Sequence, residues 1–277
     1  MAAVGEGTIK VSMPHSRAIA SPLVAALTPG GRAVGSKISV VIPVYNECDN
    51  LASLHGELVK SLEAFGETFE IILVDDGSTD GSAEVLGRLR AADPRLRVLT
   101  ASRNAGQTAA LAAGFAAARG EIVVTMDADL QNDPDDIPLL LAKLPEHDAV
   151  AGFRQVRLDT WLRRLSSRVA NAVRNLVSGD DIIDTCCPLK AYRREALADI
   201  KMFDGMHRFL PTLLRMEGRR VCQVEVRHRP RRAGASKYNV RNRLFRASAD
   251  LLAVRWMKGR TLRYAVTEDG APPRRES

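Results

Sequence analysis

Three oxygen-bearing side chains, Asp127, Asp129 and Gln131, stand two residues apart at the end of the run VVTMDADLQNDP. If the backbone stays extended past Met126, alternation puts all three on one side of the chain. Such a set suits a hard divalent cation, Mg²⁺ or Mn²⁺, that keeps positions free for phosphate oxygens. Acids in such a place ordinarily cap a helix, and Asp133 or Asp135 can do so. Capping takes one carboxylate, however, and Asp127 lies too far upstream.

Three further apolar runs end in reactive groups. VVIPVYNE carries Pro43, Tyr45 and Glu47, ILVDDGSTDGS carries Asp75 and Asp76, and AVAGFR ends in Arg154. The carboxylates of Glu47 and Asp76 can accept hydrogen bonds from a ribose or a base, and Tyr45 can offer a ring face. Each has a plainer use as well: Glu47 as a helix N-cap, and DDGSTDG as a turn rich in Asp, Gly and Ser.

Positioning these residues falls to an alternation of strands and helices. ISVVIPVY and FEIILVDDG are continuous apolar, β-branched runs, as expected for strands buried on both faces. RVLTAS, EIVVTMDADL and AVAGFR continue the series. Between the runs lie helices: one through Leu51, Leu54, Leu58, Leu62 and Phe65, capped by Asp49 or Asn50; one through Val85, Leu86 and Leu89; the Ala-rich GQTAALAAGFAAARG; and one begun by DPDDIPLLLAKL. The pattern predicts an α/β fold with a mostly parallel, doubly wound, Rossmann-like sheet. Ligands of such sheets bind at the carboxyl ends of the strands, where all four groups of residues fall. Beyond Arg154 the rhythm changes. WLRRLSSRVANAVRNLVSG reads as a basic amphipathic helix, DTCCPLKAYR as a strand, FLPTLLRMEG as a helix and RRVCQVEVRHRPR as an alternating strand. NRLFRASADLLAVRWMKGR is a second basic amphipathic helix. The expected organisation is a disordered extension at 1–36, a catalytic domain at 37–238, a basic amphipathic helix at 239–262 and a disordered tail at 263–277.

The formal charge of +7 points to an anionic partner: nucleic acid, a phosphorylated metabolite or an anionic membrane. The arginines lie on amphipathic stripes without a recognised reader module, which argues against nucleic acid. Cys48, Cys186, Cys187 and Cys222 form no C-x-x-C pair and read as buried free thiols in a reducing compartment. No apolar run approaches the roughly 18 residues of a membrane-spanning helix. His207 and His228 are expected to do packing or surface work.

Taken together, VVIPVYNE, ILVDDGSTDGS, SRNAGQTAALAAGF, VVTMDADLQNDP and GFR resemble the motif series of family 2 glycosyltransferases with the GT-A fold. The resemblance covers about Ile38 to Lys258. More narrowly, the series resembles the branch of dolichyl-phosphate mannose synthase and bacterial polyprenyl-phosphate glycosyltransferases, whose basic acceptor loop RRAGASKY resembles. It implies that Pro43, Tyr45, Glu47, Val74 and Asp76 hold the nucleotide. Asp127 and Ala128 would lie beside the ribose and diphosphate, with Asp129 and Gln131 on the metal. Arg154, Arg231 and Lys237 would meet the donor diphosphate or the acceptor phosphate, and Asp184 would orient the acceptor arginines or take a proton. The paired cysteines after Thr185 depart from the small residues that other members place there. Many relatives also carry transmembrane helices after the catalytic domain, none of which is read here.

The resemblance implies a metal-dependent inverting glycosyltransferase. It would move a sugar from a nucleotide-sugar donor, UDP favoured over GDP, to a polyprenyl phosphate at the cytoplasmic face of the membrane. The protein would be peripheral there, and a membrane-protein partner or self-association is compatible with it. A hydroxyl acceptor on a polysaccharide is the alternative within enzymes and would need Asp184 as a base. A non-catalytic nucleotide-sugar binder is the alternative outside them.

Overall fold

A computed structural model describes residues 36–154, 182–198, 200–230 and 240–260, all within one compact unit, Ala33–Ser277. Strand β1 (Ile38–Val44) is the centre of its construction. Val40, Ile42 and Val44 bury one face, while Val41 buries the other. A strand with two buried faces needs a helical layer on each, and the chain supplies both. Helix α1 (Cys48–Phe65) covers the first face through Leu51, Leu54, Leu58 and Leu62, joined by α2 (Ser82–Ala92) and α4 (Ile137–Leu141). Helix α3 (Gln107–Ala117) covers the second with α5 (Arg194–Ala198), α6 (Leu210–Met216) and Val254 of α7 (Val240–Gly259).

The remaining strands are β2 (Phe69–Asp75), β3 (Leu96–Thr100), β4 (Ile122–Thr125), β5 (Ala149–Phe153), β6 (Lys190–Arg193) and β7 (Val221–Glu225). They form one seven-stranded sheet in the order β3-β2-β1-β4-β6-β5-β7. Pairing is parallel except where β6 lies between β4 and β5. The strand order reverses between β1 and β4, which opens a crevice at their carboxyl ends. Because β6 runs the other way, it starts on that same edge and delivers Asp184 to Leu189 there.

The predicted α/β class and doubly wound, mostly parallel sheet are thus observed, with several local differences. Helix α1 starts at Cys48 with Glu47 as its N-cap residue, not Asp49 or Asn50. DPDDIPLLLAKL opens as a 3₁₀ turn, Pro134–Asp136, before the short α4. Only Lys190–Arg193 of DTCCPLKAYR is strand. The helix expected at Trp161 to Val177 and the termini at 1–35 and 263–277 lie outside the described residues.

The Ala-rich α3 packs close to the sheet, as its small residues predict. A methyl group at Gly114 would collide with Val41 Cγ1 of β1. Gly114→Ala is therefore expected to destabilise the protein by about 1–3 kcal/mol despite alanine's better helix propensity, read as a lower midpoint in urea unfolding. An unchanged or raised midpoint would contradict this packing.

Candidate active site

The crevice is built from the ends of five strands. After β1 the chain turns at Asn46, whose backbone is left-handed (φ 54°). Asn46 N–H donates to Ser78 Oγ at 2.9 Å, and Asn46 Oδ1 accepts from Thr79 N–H at 2.6 Å. The β1 and β2 ends are thereby laced together, with the ring of Tyr45 exposed beside them. Pro43 is half-buried in register with Val74. Glu47 accepts from Asn50 Nδ2 at 2.7 Å.

Asp76, buried at the end of β2, accepts from Ala105 N–H at 2.7 Å and Gly106 N–H at 2.8 Å. Both carboxylate oxygens thus fold the loop before α3 onto the β2 end. The side chains of Val74 and Ala128 are packed in the core.

Strand β4 leads into the acidic motif, but the chain does not stay extended past Met126 as the alternation argument assumes. It bends over residues 128–130, and Leu130 sits in the left-handed region at φ 60°. For a non-glycine residue this costs on the order of 1–3 kcal/mol, which the surroundings must supply. Leu130 is 2% exposed and locked in the core. The bend separates the environments of the two acids. Asp127 Oδ1 accepts from Gln107 Nε2 of α3 at 2.8 Å. Asp129 is 6% exposed, and its Oδ1 accepts from Gln131 N–H at 3.2 Å.

Among the described residues no three His, Cys, Asp or Glu side chains gather to cage an ion. The available donors are the two carboxylates and the amide oxygen of Gln131. These hard oxygen ligands fit a Mg²⁺ or Mn²⁺ ion that completes its shell with phosphate and water.

At the end of β5, Arg154 meets Asp184 in a bidentate pair, Nε to Oδ2 at 2.7 Å and Nη2 to Oδ1 at 3.2 Å. Burial opposes the guanidinium's charge, but the hydrogen bonds and field of Asp184 outweigh it and raise the Arg154 pKa. Asp184 also accepts from Cys186 N–H at 3.1 Å. A cavity of about 80 Å³ is lined by Gln107, Asp127, Thr185, Cys187, Lys190 and His207 among others. Lys190 is buried, and its Nζ donates to the carbonyls of Thr185 at 3.3 Å and His207 at 3.2 Å. Burial lowers its pKa, against the opposing fields of Cys187, Cys186, Asp184 and Asp127. Cys187 is fully buried and its thiol is pushed up to about 11, chiefly by desolvation, so it stays protonated near neutrality. Cys187 is the one buried thiol of the four, against the expectation for all of them: Cys186 is exposed, and Cys48 and Cys222 are partly exposed. His207 bonds Thr108 Oγ1 at 2.7 Å, tying α3 to the turn before α6.

A family model described as Glycosyl transferase family 2 matches residues 39–201. The chain belongs to this family. Two curated relatives, undecaprenyl-phosphate 4-deoxy-4-formamido-L-arabinose transferases of Edwardsiella ictaluri (strain 93-146) and Proteus mirabilis (strain HI4320), are each 40% identical over 206 residues. Those alignments cover 73% and 74% of this chain but only 63% of each relative, so the chain spans less than two thirds of their length. Glucosyl-3-phosphoglycerate synthase from Mycobacterium tuberculosis, solved with Mn²⁺ and UDP-glucose, superposes with a TM-score of 0.59 at 23% identity, covering 81% of this chain and 79% of that one. A mannosyltransferase from Pyrobaculum calidifontis, in complex with GDP-Man and Mn²⁺, gives a TM-score of 0.54 at 19% identity, covering 81% and 74%. The architecture is accordingly the GT-A fold of glycosyltransferases.

For the family 2 domain, the fold brings the expected residues of β1, β2, β4 and β5 to one edge and adds Asp184 through β6. Arg231 and Lys237 lie outside the described residues. Gln107 and Lys190 also join the site. Both sit on elements that pattern reading places correctly, but their partners come from elements distant in sequence.

Proposed function

We propose that this protein is a metal-dependent inverting glycosyltransferase that moves a sugar from a UDP- or GDP-sugar to a polyprenyl phosphate at the cytoplasmic membrane face. The observation that carries the acceptor reading is the commitment of Asp184. A hydroxyl acceptor needs a base to take its proton, and Asp184 is the candidate. Its carboxylate is 5% exposed, holds Arg154 through both oxygens and accepts from Cys186 N–H. A phosphate monoester with a second pKa near 6 is largely dianionic at pH 7 and attacks without a strong base. It needs cations that place it, and Arg154 is such a cation. The naming of the curated relatives as undecaprenyl-phosphate transferases supports the same acceptor class.

Tyr45, Glu47 and Asp76 form the nucleotide side of the crevice. Asp127, Asp129 and Gln131 would hold Mg²⁺ or Mn²⁺, which when bound neutralises charge on the departing nucleoside diphosphate. Arg154 adds fixed positive charge on the sugar side. No helix of the described residues is long and apolar enough to cross a membrane. Helix α7 offers another mode of attachment. Val254 is buried against the domain, while Leu252 (62% exposed), Trp256 (64%) and Met257 face outward among Arg255, Lys258 and Arg260. An apolar strip flanked by cations suits an anionic lipid interface.

A thermal-shift screen of UDP- and GDP-sugars with Mn²⁺, followed by transfer to undecaprenyl phosphate in anionic vesicles, tests this reading. A stabilising donor and label in the lipid fraction are expected, with Trp256→Glu reducing vesicle binding. Transfer only to a soluble hydroxyl acceptor, or no transfer with any donor, would refute it.

A further inference from the structure

The acids that follow the metal motif do more than start a helix. Asp133 caps the 3₁₀ turn by accepting from Asp135 N–H at 3.1 Å, yet Asp133 and Asp136 are only 3% and 1% exposed. Both are neutralised by the segment that follows β7. Arg227 donates to Asp136 through its backbone N–H at 2.7 Å and its Nε at 2.8 Å, and its Nη1 reaches Asp133 at 3.0 Å. Arg229 Nη2 lies 2.6 Å from the other oxygen of Asp133, while its Nη1 pairs with Glu57 of α1. The main chains join as well. Arg229 N–H donates to Gln131 O at 2.9 Å, and Asn132 bridges His228 in antiparallel fashion. Ser61 of α1 holds the same turn by donating to Pro134 O at 2.9 Å.

This clasp closes directly on the strained bend. Leu130, at φ 60°, lies between Asp129 and Gln131, and such a conformation persists only where its neighbours over-determine it. The core holds Leu130 from within, and Arg229 fixes the carbonyl of the next residue from without. The clasp also sorts charge. Five carboxylates follow Met126 within ten residues, and unpaired they would repel one another and compete for any cation. Arg227 and Arg229 offset the two buried carboxylates at the tail of the run, Asp133 and Asp136.

We propose that Arg227 and Arg229, clasping Asp133 and Asp136, are positioning residues that set the geometry of Asp129 and Gln131 for the divalent cation. The inference rests on the metal reading of the crevice. Groups that orient metal ligands typically change metal affinity about 10- to 100-fold when removed. The pairing also ties the segment after β7 to the acidic motif that follows β4.

The test is Mn²⁺ binding followed by electron paramagnetic resonance of the free ion, in the presence of UDP and, in parallel, GDP. Arg229→Gln and Asp133→Asn are each expected to weaken Mn²⁺ binding about tenfold. Nucleotide affinity in EDTA should stay within about twofold of the parent. Arg227→Gln, at a more exposed guanidinium that is safer for folding, should shift Mn²⁺ in the same direction by less. Arg229→Lys should recover only part of the loss, because an ammonium cannot span two carboxylates in fixed geometry. Arg97→Gln, which breaks the pair with Glu70 on β2, serves as a control that lowers thermal stability without moving Mn²⁺ affinity. Parental Mn²⁺ affinity in folded Arg229→Gln and Arg227→Gln would overturn the positioning role alone. A parent that binds Mn²⁺ with neither nucleotide would overturn the metal reading beneath it.

Discussion

Asp129→Ala is expected to remove Mn²⁺-stimulated sugar transfer, lowering the rate by about 10³-fold, with loss of the metal-dependent part of donor binding. The size follows from where the carboxylate sits. Asp129 is 6% exposed at a bend that its own oxygen helps to close, by accepting from Gln131 N–H. In the proposed site, alanine would remove a cation ligand and loosen the residue beside it in one step. Asp127→Asn should cost less, because an amide oxygen can still accept from Gln107 Nε2 and keep the α3 contact. Calorimetric titration of the donor with and without Mn²⁺, beside steady-state transfer, reads both effects. A variant that transfers sugar at the parental rate would show that the cation, if used, is held elsewhere.

The layers of this fold are visible in the sequence because burial on two faces leaves a direct trace. ISVVIPV and FEIILVD have no polar alternation to lose, and only a parallel sheet covered on both sides accommodates such strands. The identity of the site edge follows, since polar residues end four separate runs. What the sequence conceals is everything decided by strand order. Asp184 lies 30 residues beyond Arg154, and only the insertion of an antiparallel strand between β4 and β5 makes them partners. Arg227 and Arg229 look like the exposed positions of an alternating strand until the fold lays them across Asp133 and Asp136. The bend at Leu130 is hidden for a different reason. Nothing in Ala-Asp-Leu-Gln favours a left-handed residue, so local propensity predicts extension. Tertiary packing of the leucine side chain overrides it.

Asp184→Asn separates the two acceptor chemistries by its pH dependence as well as its rate. The carboxylate pairs with Arg154 where the side chains are 6% and 12% exposed, so the amide leaves a nearly buried guanidinium without its counter-charge. Removing one member of a buried pair costs about 3–5 kcal/mol in full burial, and somewhat less is expected here because Arg154 retains some solvent contact. The melting temperature should fall. Transfer should drop about 100-fold, since a small displacement of a positioning cation costs that much in rate. The residual activity carries the decision. If the nucleophile is a phosphate monoester, the parental rate rises with pH through about 6 as the second proton leaves, then levels off. That acid limb belongs to the substrate and should survive intact in Asp184→Asn. If Asp184 were instead a base for a hydroxyl, the limb would be its own and would vanish with the carboxylate, while donor binding stayed whole. Arg154→Lys completes the comparison. An ammonium keeps the charge but cannot engage both oxygens of Asp184 in one plane, so it should recover stability in part and rate hardly at all. Full recovery of rate by lysine would mean that charge alone, and not the fixed bidentate geometry, is what the acceptor side requires.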